Sequence, residues 1–474
     1  MSLHPVKPGD TLTLLVERLA FGGKGVARVD GYTVFVDRGL PGQTVEVKIT
    51  RRKKGWSEAR VLRVVRPGPA DVVPRCAHFG LCGGCSFQHL DYAAQLEAKR
   101  EHVRECLERI GGLSGVEVEP VLSSPTPFEY RNKMEYSFAE RWLDEHDPAV
   151  SPSERFGLGL HVRGRFDRVV EIVRCHLQFE EGSRILAFVR EFAGRSGIPA
   201  YSTRTHRGFW RFLMLREGAT TGERMVVVIT HETDPGSAEW REVDRLGDAL
   251  KARFPGLTSI LHGRTDSKAS VAFCPRERVL SGDPVIRERL LDFTFEIGPN
   301  TFFQTNTHGA ERHFTEALAR AELRPEDVVW DGYCGVGALT FPLARRARRV
   351  VGIEVVAESV EAARRNAKAN GVHNVEFHAG DIRSVAAALA ARGPRPDLIA
   401  LDPPRDGVHA DVIRTLTEVA PRRILYVSCN PATLARDLQL FRLSGYTPGP
   451  VLPVDLFPHT PHVECVTVLD RRIA

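Results

Sequence analysis

Val328-Val329-Trp330-Asp331-Gly332-Tyr333-Cys334-Gly335-Val336-Gly337, followed by Ala338 to Ala347, reads as a short apolar strand, a glycine-rich turn and a helix. A second strand, Arg349-Val350-Val351-Gly352-Ile353, stops at Glu354. A helix over Ala357 to Ala369 follows, then a third strand, Asn374 to His378, ending near Asp381. Strand, glycine turn, helix and strand with a terminal acid open a doubly wound α/β sheet whose ligand lies at the carboxyl edge. The glycines run GxxGxG, where a pyrophosphate-binding turn would show GxGxxG, and the turn opens with Asp331. A carboxylate there repels phosphates and suits a ligand that carries a cation. S-adenosylmethionine, with an ammonium and a sulfonium, fits better than a dinucleotide or a flavin. Asp331 and Gly335 then belong to its turn. Glu354, 23 residues after Asp331, is placed for two ribose hydroxyls, and Asp381 for the adenine.

Further along, Pro396–Ala400 ends at Leu401-Asp402-Pro403-Pro404-Arg405, and Arg423–Val427 ends at Ser428-Cys429-Asn430-Pro431. His462–Leu469 closes the chain. Strand ends on the carboxyl side share one crevice, which gathers Asp331, Glu354, Asp402 and Cys429. Asp402-Pro403-Pro404 resembles the acid-Pro-Pro motif of amine-directed methyltransferases. Here Arg405 replaces the usual aromatic, and a cysteine stands at the next strand end. That change suits a target with no lone pair. Carbon 5 of a pyrimidine becomes nucleophilic only after addition at carbon 6, and a thiolate is the side chain for reversible addition. Glu464, at the edge of the last strand, is the candidate base for the C5 proton. The plainer alternative is that Cys429 is a buried core thiol.

Upstream, Gly298-Pro299-Asn300-Thr301-Phe302-Phe303-Gln304 offers an exposed-looking Phe-Phe-Gln to line a pocket for a planar ligand. Phe156 to about Ala272 reads as an α+β domain. Tyr130-Arg131-Asn132-Lys133-Met134-Glu135-Tyr136 mixes cations, amide and aromatics in a pattern that could hold a nucleotide backbone, although its aromatics also alternate like ordinary strand positions. Cys76, Cys82 and Cys85 stand as C-x5-C-G-G-C, and Cys175, after a strand-like run, could supply a fourth thiolate; Cys106 lies inside a helical pattern, Ala93 to Ile110. Four thiolates suit zinc or an iron–sulfur cluster, and spacing does not choose between them. The spacing is not the C-x3-C-x2-C of radical enzymes.

Residues 9–66 read as five short strands, Asp10–Arg18, Gly25–Arg28, Tyr32–Val36, Thr44–Thr50 and Ser57–Val65. So many short strands close most simply into a small OB-like barrel. Arg51, Arg52, Lys53, Lys54 and Trp56 crowd one hairpin, offering cations for phosphates and an indole for stacking. This stretch resembles the RNA-binding TRAM domain. Residues 1–70 carry thirteen Lys or Arg against six Asp or Glu, so the chain's formal charge of +5 is concentrated in a basic first domain. With no 18-residue uncharged apolar run and no secretory h-region, a cytoplasmic protein without membrane partners is expected.

In combination, C-x5-CGGC, DGYCGVG, LDPPR, SCNP and HVE resemble the RNA uracil-C5 methyltransferase family over essentially the whole chain, and in particular its 23S ribosomal RNA branch. The resemblance implies a Rossmann-like class I methyltransferase sheet, an N-terminal TRAM barrel and a central α+β domain. The domains would be 1–68 for the barrel, 75–91 with 124–290 for the central domain, and 92–123 with 291–474 for the catalytic domain. It implies a four-iron, four-sulfur (4Fe-4S) cluster on Cys76, Cys82, Cys85 and Cys175. It makes Cys429 the nucleophile and Glu464 the base, and puts Gln304, Tyr333, Glu354 and Asp402 in the cofactor and uracil pocket. Arg131, in the Arg131-Asn132-Lys133 segment, would contact RNA, and the partner would be 23S ribosomal RNA, not DNA, bound by a monomer. A transfer RNA uracil-C5 enzyme, an RNA cytosine-C5 enzyme and a non-catalytic RNA-binding assembly factor are the alternatives.

Overall fold

The computed structural model describes residues 5–141, 156–393 and 395–472. The first four residues of the expected barrel domain and 142–155 of the expected central domain lie outside the described residues.

In Thr44–Arg52 and Trp56–Arg66, alternate residues turn inward, which places Val45, Val47, Ile49 and Ala59 in a small core with Val34 and Val36. Six strands surround it: β1 (Thr11–Leu15), β2 (Arg18–Leu19), β3 (Gly25–Val29), β4 (Tyr32–Asp37), β5 (Thr44–Arg52) and β6 (Trp56–Arg66), in the order β1-β5-β6-β4-β3-β2. One expected strand, Asp10–Arg18, is two. Val16 donates to Gln43 O, but Glu17 donates to Val26 O, so the chain changes partner within one residue. Next, α1 (Tyr92–Arg109) is capped by Asp91, whose side chain accepts from Ala93 N–H.

The central layer contains β7 (Lys133–Arg141), β8 (Phe156–His161), β9 (Arg168–Val170), α2 (Glu180–Arg195), β10 (Trp210–Glu217), β11 (Arg224–His231), α3 (Ala238–Arg253), β12 (Ser259–Thr265) and β13 (Arg276–Gly282). Its sheet runs β13-β12-β11-β10-β7-β8-β9. Strands β10 and β11 are buried along nearly their whole length. Leu213, Leu215, Val226 and Val228 pack on the two helices, while Phe212, Met214, Met225 and Val227 join the core beneath the hairpin β14 (Ile286–Leu290) and β15 (Phe293–Ile297). A sheet covered on both faces needs apolar residues on both, so its strands lose the alternation of a half-exposed sheet.

The third layer comprises α4 (Thr307–Ala321), β16 (Val328–Gly332), α5 (Thr340–Ala344), β17 (Arg349–Glu354), α6 (Ala357–Ala369), β18 (Val375–Ala379), α7 (Ile382–Arg392), β19 (Leu398–Leu401), α8 (Ala410–Val419), β20 (Arg423–Ser428), α9 (Pro431–Leu443), β21 (Tyr446–Pro448), β22 (Leu452–Val454) and β23 (Glu464–Arg471). Its sheet runs β18-β17-β16-β19-β20-β23-β21, with β16 to β20 parallel and β23 antiparallel. This is the expected doubly wound class I methyltransferase sheet. Helices α4 to α6 cover one face; α1, α7, α8 and α9 contribute to the core on the other. Helix α5 has five residues where ten were expected. The glycine turn takes up the chain as far as Leu339, and the return to Arg349 leaves room for little more than one turn of helix.

Candidate active site

Strand order reverses between β16 and β19, and the crevice outside their carboxyl ends is where an open α/β sheet holds a ligand. Asp331, the penultimate residue of β16, is buried. One carboxylate oxygen accepts from Thr340 Oγ1 at 2.5 Å, and the other has no hydrogen-bond partner among the described residues. Burial above all, with Asp402 and Glu354 adding to it, pushes its pKa up to about 7. An orphaned carboxylate oxygen in this position is complementary to a ligand ammonium, so the residues present fit S-adenosylmethionine.

The turn after it is backbone-driven. Tyr333 sits at φ +70°, and Tyr333 and Cys334 N–H both donate to Ile353 O at 2.9 and 3.1 Å. Gly337, at φ +96°, has no room for a side chain, since a Cβ would lie 2.6 Å from the Phe341 ring. Glu354 ties the turn to β17, accepting from Gly335 N–H at 3.1 Å on one oxygen and Val356 N–H at 2.9 Å on the other. A carboxylate oxygen has a second lone pair, so both remain open to ribose hydroxyls. Asp381 is exposed and caps α7, accepting from Arg383 and Ser384 N–H.

Asp402 follows β19, and burial pushes it up to about 6. The Pro403–Gly407 loop behind it is held by α9. Asn430 Nδ2 and Thr433 Oγ1 donate to Arg405 O (3.0 and 3.2 Å), and Arg436 Nη2 donates to Asp406 O (2.8 Å). Asp437, fully buried, accepts from Val408 N–H at 2.7 Å and Tyr426 O–H at 2.6 Å. Nothing in the sequence pattern singles out Asp437, one acid among charged residues on a helix.

Cys429 is the residue after β20. Ser428 pairs with Cys465 across the antiparallel β20–β23 ladder, so that register brings Cys429 opposite Glu464. Burial, then Glu464 and Asp402, push the Cys429 thiol up to about 11, while Arg405 pulls it down. Burial, then Asp402, push Glu464 up to about 8, again opposed by Arg405. Thiol, two carboxyls and guanidinium thus share one electrostatic neighbourhood.

Gln304 lies in the segment ahead of α4, which Asn132 braces. Asn132 Nδ2 donates to Gln304 O (2.9 Å) and Thr307 Oγ1 (2.8 Å), and Asn132 N–H donates to Thr305 O (2.9 Å). Asn132 is buried and braces this junction; Lys133 is paired with Glu135 at 2.6 Å. Of the two expected exposed phenylalanines, Phe302 is 73% exposed, but Phe303 is buried against Phe295. Arg51, Arg52, Lys53 and Lys54 are exposed at the β5–β6 turn, and Trp56 leans edge-on against Phe35 at 5.6 Å.

The cysteines require a correction. Cys76, Cys82, Cys85 and Cys175 line one cavity of about 330 Å³, together with Arg131. Yet among the described residues no group of three or more His, Cys, Asp or Glu side chains is arranged to hold a metal ion. The 4Fe-4S cluster and its zinc alternative are therefore overturned. Burial pushes Cys82 up to about 11 and Cys85 to about 12, and raises Cys175 too. Gly83 N–H donates to His161 O and Arg163 N–H to Leu81 O, so this loop is stitched to the end of β8. Spacing brought the thiols to one cavity without giving them ligand geometry.

Residues 276–472 match the family model described as tRNA (Uracil-5-)-methyltransferase, and residues 5–62 match the TRAM domain. An "uncharacterized RNA methyltransferase" of Nitratidesulfovibrio vulgaris is 41% identical over 467 residues, covering 98% of this chain and 97% of that one. The chain belongs to the RNA uracil-C5 methyltransferase family. Another such relative, from Porphyromonas gingivalis, is 38% identical over 465 residues, 96% of this chain and 98% of its own. Among solved structures, Pyrococcus abyssi tRNA (uracil-54, C5)-methyltransferase in complex with S-adenosyl-L-homocysteine is 29% identical, with a TM-score of 0.73 over 97% of this chain and 100% of that one. Membership of the uracil-C5 methyltransferase family makes the protein an RNA-binding, S-adenosylmethionine-dependent enzyme. Among the described residues no helix is long and apolar enough to cross a membrane.

Proposed function

We propose that this enzyme methylates C5 of one uridine in a folded transfer RNA through a covalent adduct on Cys429. The observation that carries the chemistry is the β20–β23 register, which sets Cys429 opposite Glu464 beside Asp402. Transfer RNA replaces the ribosomal substrate because the matched family model and the Pyrococcus structure both name it. The Cys429 thiol releases its proton to solvent, its sulfur bonds to C6, and the C5–C6 π electrons move into the C4 enolate. S-adenosylmethionine, when bound, supplies the electrophilic methyl group that C5 takes. Glu464 then removes the C5 proton, the C5–C6 double bond re-forms, and Cys429 leaves as thiolate.

In this reading Asp331, Tyr333, Gly335, Glu354 and Asp381 hold the cofactor, and Gln304 and Asp402 face the base or the cofactor amine. Residues 92–123 and 291–474 form the catalytic unit. Residues 1–68 and the central unit, 75–91 with 124–290, grip the RNA through the Arg51–Trp56 hairpin, Arg131 and Lys133. A uracil pocket sees only the base, so the site is chosen by RNA shape and the uridine is flipped out. The enzyme works as a cytoplasmic monomer.

The test offers C5-tritiated transfer RNA and 23S ribosomal RNA separately, with labelled S-adenosylmethionine. Tritium release and 5-methyluridine on transfer RNA are expected. Release only from 23S ribosomal RNA would restore the ribosomal substrate; 5-methylcytidine would make it a cytosine enzyme; neither product, with both ligands bound, would leave an RNA-binding factor. Cys429→Ala should form no adduct. Glu464→Gln should stall as an adduct that already carries the methyl group.

A further inference from the structure

The turn Asp455–Pro461 delivers the chain to Glu464, and several separate segments hold it. Lys99 Nζ, on α1, donates to Asp455 Oδ1 at 2.6 Å and Phe457 O at 3.1 Å, and both side chains of this pair are fully buried. Gln95, one turn earlier, donates to Phe87 O (3.1 Å) and Leu90 O (2.8 Å), and its oxygen accepts His459 N–H at 2.9 Å. Ser86 and Phe87 N–H donate to His459 O at 2.8 and 3.0 Å. Tyr130 O–H donates to Pro458 O (3.1 Å), and Asn306 Nδ2 to Leu456 O (3.0 Å). His459 sits at φ +65°, a conformation such bonds must impose on a side chain of its size.

A buried ammonium–carboxylate pair seldom adds more stability than a well-packed apolar pair of the same volume. Its distinctive effect is to fix geometry. Two of the groups gripping this turn come from other parts of the chain: Asn306, at the start of α4, is two residues past Gln304, and Tyr130 precedes Arg131. The turn is therefore a joint that ties α1 and the segments of Tyr130 and Asn306 to the strand carrying Glu464.

We infer that Lys99 and Gln95 are positioning residues which, through this joint, aim Glu464 at the C5 proton. This rests on the reading of Glu464 as the base. Neither residue touches substrate; their removal should spare addition of Cys429, whose strand they do not hold, and slow proton removal.

The experiment compares the double variant Lys99→Met/Asp455→Asn, which leaves no unpaired buried charge, with Gln95→Leu and Glu464→Gln. Adduct formation on a 5-fluorouridine substrate should stay within about threefold of the parent. C5 tritium release should fall about 100-fold, the scale of a misplacement near 1 Å, and methylated adduct should accumulate on denaturing gels. Equal losses in adduct formation and tritium release would mean a merely structural role, and parental turnover would mean none; either overturns the inference. Gln95→Leu introduces no charge and carries the test if the double variant fails to fold. If Glu464→Gln itself accumulates no methylated adduct, the base assignment has failed, separately from the joint.

Discussion

Replacing Glu464 by glutamine should stabilise the protein while stopping the reaction, and the gain should depend on pH. Glu464 is 5% exposed, and its carboxyl is pushed from 4.5 up to about 8, chiefly by burial and secondly by Asp402. Between those pH values the folded state keeps a proton that the unfolded chain releases. Stability therefore falls as pH rises through this window, and the contribution is complete only below about 4.5. Each pH unit of displacement is worth about 1.4 kcal/mol, so on the order of 5 kcal/mol is lost by pH 8.5, less whatever water entering the cleft recovers. Glutamine keeps the shape without the charge. At pH 5 the Tm of Glu464→Gln should match the parent or lie slightly below it, and at pH 8.5 it should lie roughly 5–10 °C above. Thermal unfolding followed by circular dichroism across pH 5–9 measures this. A difference between the two proteins that stays constant with pH would refute the burial argument, whatever its size.

The same carboxyl predicts that C5 tritium release from the preformed methylated adduct rises about tenfold per pH unit below pH 8 and levels off above it, because the base must be ionised; a flat profile from pH 6 to 9 contradicts that assignment. Asp331→Asn should weaken S-adenosylmethionine by roughly 10- to 100-fold in calorimetry, the scale of a lost charge-assisted hydrogen bond, while leaving RNA affinity unchanged. Changing Arg51, Arg52, Lys53 and Lys54 to alanine should flatten the salt dependence of RNA binding by up to roughly 3 in log–log slope, with methylation at saturating RNA retained. An unchanged slope would remove the hairpin from the RNA contact.

The strand–turn–helix that carries Asp331, the glycines and Glu354 was legible because it is consecutive in sequence, on two adjacent strands joined by one short crossover. Cys429 and Glu464 were legible only as strand-end residues. Their apposition depends on an antiparallel register between β20 and β23, which no local pattern encodes. The Lys99–Asp455 pair spans 356 positions, and neither residue stands out on its own element. The first barrel strand looked continuous because a partner change at Val16 leaves the apolar alternation intact. The cysteine spacing misled for a related reason: sequence proximity and flexible glycines bring thiols near one another, whereas ligation requires sulfur positions that the stitching of the loop to β8 decides. Phe302 and Phe303 are identical in type, and only the packing of Phe295 tells the exposed one from the core one.

What the sequence pattern could not convey is how burial alters the reagents. An ordinary carboxylate is a weak base toward a carbon acid, and an ordinary thiol is partly ionised and open to oxidation near neutral pH. In this cleft both are shifted upward by the same apolar surroundings. If Glu464 is the base, as proposed, the shift brings its basicity near the working pH, where a general base is most effective. For Cys429 it keeps the sulfur protonated and unreactive in the free protein. Where Glu464 and Asp402 are ionised, ionising the thiol would add a third negative charge to one pocket, and Arg405 is the cation that opposes this. The two shifts thus favour one order of events. Under the proposed mechanism Glu464 becomes an effective base as pH approaches 8, the thiol stays protonated in the free protein, and sulfur would commit its electrons only when a uracil ring is present to take the charge into its C4 enolate.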